Sequence, residues 1–358
     1  MHGDLVRQRY TTAQMDTSRL LSLTTAFVRE LEAVSPKMTA LREALKKGFL
    51  DQLSDLRHEV EQRLAEGPSN HFPPSWLKIL EQIGTKRLVA PELHRRLTYI
   101  LDNEDLRLPQ KAMLIGSIQS EINTFTGELR HLESGLASVR IQLESAPRGY
   151  CEVGALYPSK CFTDLEDFAG ELKQLDKHLR ALAELSGEPG SLHVRRLETA
   201  SLEIFLTAGT ATGVTLATLF WGLMRAWREF EEIKKIRAET RKIDAEVSDM
   251  LDKKLKEKVA EARALIAKDV MANGAVGDKS RRNELSIAVE QAITFFENRV
   301  EKGALFEVTV GAEGTSPERE QPTLGSEKEL LIRERGGAMS QMQLFAEPPL
   351  LTGESDTQ

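Results

Sequence analysis

The sequence predicts a mainly α protein: an N-terminal helical bundle, a small βαβ-like insert, a single hydrophobic helix, a long coiled-coil-like helical hairpin and a disordered tail. Charged residues make up 29% of the chain and aromatic residues only 6%, a balance suited to helices rich in Leu, Ala, Glu and Lys. Apolar residues recur at three- and four-residue spacing through most of positions 18–145. One stretch, Ile204 to Met224, runs for 21 residues without a charge.

Residues 1–17 show no period and read as a flexible lead. The bundle, 18–145, opens with a helix carrying Leu20, Leu21, Leu23, Phe27, Val28, Leu31 and Val34, which Ser35-Pro36 is expected to stop. A second helix follows from Pro36 to Glu66, with Met38, Leu41, Leu45, Leu53, Leu56, Val60 and Leu64 on one side. Gly67-Pro68-Ser69-Asn70 and Pro73-Pro74 break the pattern, and short helices are expected near 75–83 and 91–102. A long amphipathic helix then extends from Pro109 to about Ser145.

The α+β insert, 146–200, begins after Ala146-Pro147-Arg148-Gly149. YCEVGALY (150–157) and SLHVRRL (191–197) read as strands on either side of a helix over 162–186, so the simplest arrangement is one βαβ unit with parallel strands. The hydrophobic helix, 201–226, leads into a charged arm over 227–303. That arm is expected to run as one helix from Arg225 to Ala272, end at Asn273-Gly274, and meet a second helix over 283–301 folding back on it. Leu305 to Val310 adds a strand, and the composition of 311–358 reads as a disordered tail with one apolar island at Met342, Leu344 and Phe345.

At 1.5 Å per residue, the uncharged stretch makes a helix about 30 Å long, the thickness of a bilayer core. Gly209, Gly213 and Ala217 are spaced by four and would form a small-residue groove for helix packing or oligomerisation. Trp221, Arg225, Trp227 and Arg228 suit the interface end of a membrane helix. The charge pattern opposes a simple crossing. Seven basic residues follow in 225–242 against two in 186–203, which places the arm in the cytosol, while the N-terminal sequence lacks a secretory signal. The main reading is therefore a non-enzymatic, membrane-associated protein with its bulk in the cytoplasm, whose hydrophobic segment anchors or oligomerises. The alternative is a soluble cytoplasmic coiled-coil adaptor with 204–224 as a buried central helix.

Expected partners are membrane lipid and a second copy or a helical protein. A net charge of −7 argues against nucleic acid, because phosphate neutralisation needs a clustered basic surface. No catalytic residues, metal ligands or cofactor are read from the sequence. GTATGVT lacks the Lys-Ser/Thr of a Walker A loop, and the seven histidines stand singly and read as surface or capping residues. Cys151, on a predicted strand, reads as a small buried hydrophobe. Glu171, near Lys173, reads as part of a solvated helix face.

Overall fold

The computed structural model describes residues 17–138, 149–158, 161–190, 192–198, 202–240, 245–310, 324–340 and 342. They are mainly helical with one small antiparallel sheet, and they divide between two compact units, one holding 17–138 and 342 and the other the described residues from 149 to 340.

The first unit holds α1 (Thr17–Lys47), α2 (Leu50–Ala65), α3 (Pro74–Gln82), α4 (Ala90–Asp102) and α5 (Leu108–Ser138). Helices α1 and α5 run antiparallel along each other, tied by Thr25 to Glu133 at one end and Thr39 to Gln119 further on. Leu23, Phe27, Leu31, Met38 and Leu41 meet Ile115, Ile118, Ile122 and Leu129 in one core. Contrary to the expected stop at Ser35-Pro36, α1 passes straight through Pro36. An interior proline costs about 3 kcal/mol, but Leu31, Val34, Met38 and Leu41 are all essentially fully buried on either side of it, so tertiary packing outweighs the local penalty. The chain turns instead at Gly48, whose φ of 72° is the left-handed conformation of a helix end. One buried carboxylate is built into this core. Glu30 accepts hydrogen bonds from the Ser69 N–H (2.7 Å) and hydroxyl (2.5 Å), and the same hydroxyl accepts from the Ala90 N–H at the start of α4. Burial raises the Glu30 pKa despite these bonds.

The second unit is organised on four strands, β1 (Tyr150–Leu156), β2 (His193–Glu198), β3 (Glu203–Gly209) and β4 (Leu305–Val310), in the order β2-β3-β1-β4. Every pairing is antiparallel. The expected parallel βαβ unit is therefore corrected: the helix α6 (Leu165–Leu185) does follow β1, but β3 intervenes between β1 and β2. That third strand was hidden at the head of the uncharged stretch. One sheet face carries Cys151, Val153, Ala155, Ile204, Leu206, Ala208, Phe306 and Val308, paired across the strands.

Against this face packs α7 (Thr210–Thr240), with Phe220 stacked on Phe306 at 5.2 Å and Gly213 in contact with Cys151. The reading of 204–224 as a membrane helix is overturned. Residues 204–209 are strand, only Thr210 to Met224 are helical before Arg225, and among the described residues no helix is long and apolar enough to cross a membrane. The apolar residues are accounted for by the fold itself, since Leu216, Ala217, Leu219 and Phe220 are buried to within 1%. The membrane-associated localisation drawn from that helix falls with it.

Two further expectations change. The arm does not run as one helix to Ala272. Helix α8 (Ala245–Ala272) turns back and packs antiparallel on α7, with Gly222 against Ile266 and Asn273 bonded to Thr218. Helix α9 (Lys279–Glu301) then packs on α8 and α6, started by the Asp278 carboxylate capping Ser280 and Arg281. In the tail, α10 (Leu324–Arg335) and the turn after it fold onto β4 and α7. The Val308 N–H donates to Gly336 O, Phe306 N–H meets the Met339 sulfur, and Ile332 and Met339 are buried. Gly336 is the enabling residue: a Cβ there would lie 1.9 Å from the Val308 carbonyl oxygen. The expected lead over 1–16, the tail over 311–323, and Leu344 and Phe345 lie outside the described residues.

Candidate functional site at the base of the α7–α8 hairpin

The junction between β3 and α7 sets the position of everything after it. Four N–H groups at a helix start need partners; Thr210 N–H donates to Gly149 O, and Glu188, in the turn after α6, takes the next two. Its carboxylate accepts from Thr212 N (2.9 Å), Thr212 Oγ1 (2.9 Å) and Ala211 N (3.3 Å). The negative charge also faces the positive end of the helix dipole. Gly209 makes the approach possible, because a Cβ there would sit 2.2 Å from a Glu188 oxygen. The N-terminus that GTATGVT offers an anion is thus occupied by the protein's own carboxylate.

The structure places the other residues singled out above as follows. Gly213 lies on α7 where a Cβ would come within 2.4 Å of Cys151 Sγ and 2.9 Å of Ile332. Ala217, one turn on, is fully buried. Gly209 is in β3, so the three do not share one helix. Trp221 is half-buried between two guanidiniums, Arg225 at 4.8 Å and Arg335 at 5.2 Å from its ring centroid. Trp227 is half-buried, and Arg225 and Arg228 are exposed.

Trp227 lines a cavity of about 100 Å³ between α7, α8 and α9. Leu223, Val259, Ala262, Ile266 and Val300 make its walls apolar, and the Arg263–Glu297 ion pair (2.7 Å) stands at its rim. On the opposite side of the hairpin, a wetter cleft of about 180 Å³ is lined by Trp221, Arg225, Glu229, Lys258, Glu261 and Asp269. The two recesses flank the same pair of helices.

Behind the hairpin lies an ionic cluster that helical periodicity alone did not mark. Glu171 is buried, contrary to its expected place on a solvated face, and takes a bidentate contact from Arg299 (Nη2 at 2.6 Å, Nε at 2.8 and 2.9 Å) and a hydrogen bond from the Tyr157 hydroxyl (3.0 Å). Burial, then the Glu171 charge, push the Tyr157 hydroxyl up and keep it protonated. Arg299 also lies over the Phe295 ring, whose neighbour at 4.7 Å is His178. His178 is buried rather than on the surface, and desolvation first, with Lys177 and Arg299 adding, holds its pKa below the ordinary 6.5. The signal available in the sequence was position: Leu175, His178, Leu179 and Leu182 share one face of α6.

The Cys151 thiol is fully buried and pushed up to about 12 by desolvation and by Glu188, so it is a thiol rather than a thiolate at neutral pH. Among the described residues, no group of three or more His, Cys, Asp or Glu is arranged to hold a metal ion. No family model matches this chain, and comparison with curated proteins and with solved structures likewise gave no match.

Proposed function

We propose that the protein is a helical adaptor whose α7–α8 hairpin, rooted in the sheet through β3 and the Glu188 cap, docks a helix of a partner protein. The observation that carries this reading is the recess at the hairpin base. It combines a half-buried tryptophan, aliphatic walls from three helices and a charged rim, the chemistry that receives an apolar side chain from an amphipathic helix. The alternation of apolar and charged residues along 225–272 supports extending that contact along the hairpin as a coiled coil.

A photoreactive amino acid at Val259, beside the recess, tests the idea against the same group at Ile287, an exposed position on α9. The expected result is one saturable protein adduct from position 259 that Trp227→Glu abolishes. Equal labelling from both positions, or labelling unaffected by Trp227→Glu, refutes the docking role.

A further inference from the structure

The sheet has two edges, and they are treated differently. On β4 the Val308 N–H is taken by Gly336 O, so the C-terminal segment closes that side. The other edge is β2, where His193 is exposed, Val194 is 69% exposed and Leu197 is 44% exposed. An edge strand that presents apolar side chains is a template for another strand.

What selects the partner is the pattern along β2. In a regular strand, residues 194 and 197 would point to opposite faces. The irregularity between Val194 and Arg196 changes that. Val194 pairs with Leu206 and Leu197 with Ile204, both on the apolar face, whereas His193 and Arg196 pair with Thr207 and Phe205 on the other face. Arg195 joins this second face, since it reaches Glu152 at 3.2 Å, and Arg196 lies over Phe205 at 4.4 Å. From 194 to 197 the faces therefore read apolar, polar, polar, apolar, which is symmetric about the 195–196 bond.

We infer that β2 pairs with β2 of a second copy of this chain, antiparallel about a two-fold axis between Arg195 and Arg196, joining two four-stranded sheets into one of eight. A two-fold contact requires a self-complementary surface, and this strand is one. Val194 falls opposite Leu197 of the second copy on the apolar face, and position 193, a histidine, falls opposite position 198, a glutamate. The bulge that would disrupt pairing with an arbitrary strand is matched by its own image. The arginines at the axis do not oppose the pairing as bare charges, because Arg195 is held by Glu152 and Arg196 by the Phe205 ring within each protomer. This contact does not depend on the adaptor role of the hairpin.

The test is sedimentation of the full chain across a wide concentration range, beside the variant Val194→Lys/Leu197→Lys, whose positions are exposed enough to leave the fold intact by circular dichroism. The expected result is a dimer for the native chain and a weakening of about tenfold or more in the variant, the loss of two cross-strand apolar pairs. Register is read separately in a Cys161→Ser background, which removes the exposed thiol. Val194→Cys combined with Leu197→Cys should form a disulfide-linked dimer under mild oxidation. Either cysteine alone should not, because like positions would stand roughly 10 Å apart. A native chain that stays monomeric, a dimer indifferent to the double lysine variant, or equal crosslinking from a single cysteine overturns the proposal.

Discussion

The Glu188 cap can be tested by a thermodynamic cycle with Gly209. Replacing Glu188 with alanine removes three hydrogen bonds to the start of α7, two from backbone N–H groups and one from the Thr212 hydroxyl. It also removes a carboxylate facing the helix dipole. Loss of a side-chain cap costs roughly 0.5–2 kcal/mol and the charge–dipole term up to about 1 kcal/mol, so Glu188→Ala should destabilise the second unit by about 1–2 kcal/mol. For a unit of this size that lowers the melting temperature by roughly 2–8 °C. Gly209→Ala should cost a similar amount by a different route. Gly209 has no positive φ, so alanine fits its backbone, and what the new methyl meets first is the Glu188 carboxylate, 2.2 Å away. The carboxylate must swing away, which breaks the same cap. In the Glu188→Ala background the obstacle is gone, and Gly209→Ala should then be nearly neutral. The assay is urea unfolding followed by tryptophan fluorescence in a Trp76→Phe background, where Trp221 and Trp227 report on the second unit alone. Additive costs for the two substitutions would refute the reasoning, because independent effects cannot pass through one shared contact.

Other consequences are open to measurement. His178 is buried neutral with its pKa below 6.5, so the folded state binds fewer protons than the unfolded one; its contribution is complete above 6.5, stability should fall as the pH drops below that value, and His178→Phe should flatten the difference in urea midpoint between pH 7.5 and 5.5. Arg299→Met strands the Glu171 carboxylate that Arg299 grips twice; because Arg299 is about a quarter exposed, the expected loss is about 2–3 kcal/mol, below the full cost of breaking a wholly buried pair, and an unchanged urea midpoint would argue against the pair. Gly336→Ala should prise residues 336–340 from β4, exposing Met339, and be seen as faster cleavage near the C-terminus in limited proteolysis while the first unit stays protected.

Much of the helical content was legible because a 3.6-residue period leaves an unambiguous trace over long segments. Helices α5, α6 and α9 fall close to where their apolar stripes place them, and β1 and β4 stand out as short apolar runs between breakers. The site was far less legible. The Glu188 cap, the Gly336 contact and the Glu171–Arg299 pair join residues 23, 28 and 128 positions apart, and no local pattern marks which of many glutamates will meet a helix start or a buried arginine.

Periodicity and punctuation can be read along the chain without its fold: they mark which segments are amphipathic, and that Ile204 to Met224 must be kept from water. Which nonaqueous environment receives those residues was decided only by tertiary structure. Ile204 to Gly209 find strand partners in β1 and β2, the Glu188 carboxylate starts a helix at Thr210, and the sheet, α8, α9 and α10 supply the apolar surroundings that a bilayer would otherwise provide. The same logic governs Pro36. Its local preference to end a helix is real, but it is worth about 3 kcal/mol, and the buried faces on both sides of it outweigh that preference. Burial depends on what arrives from elsewhere in the chain, and that is the part of the free energy a local reading of sequence does not contain.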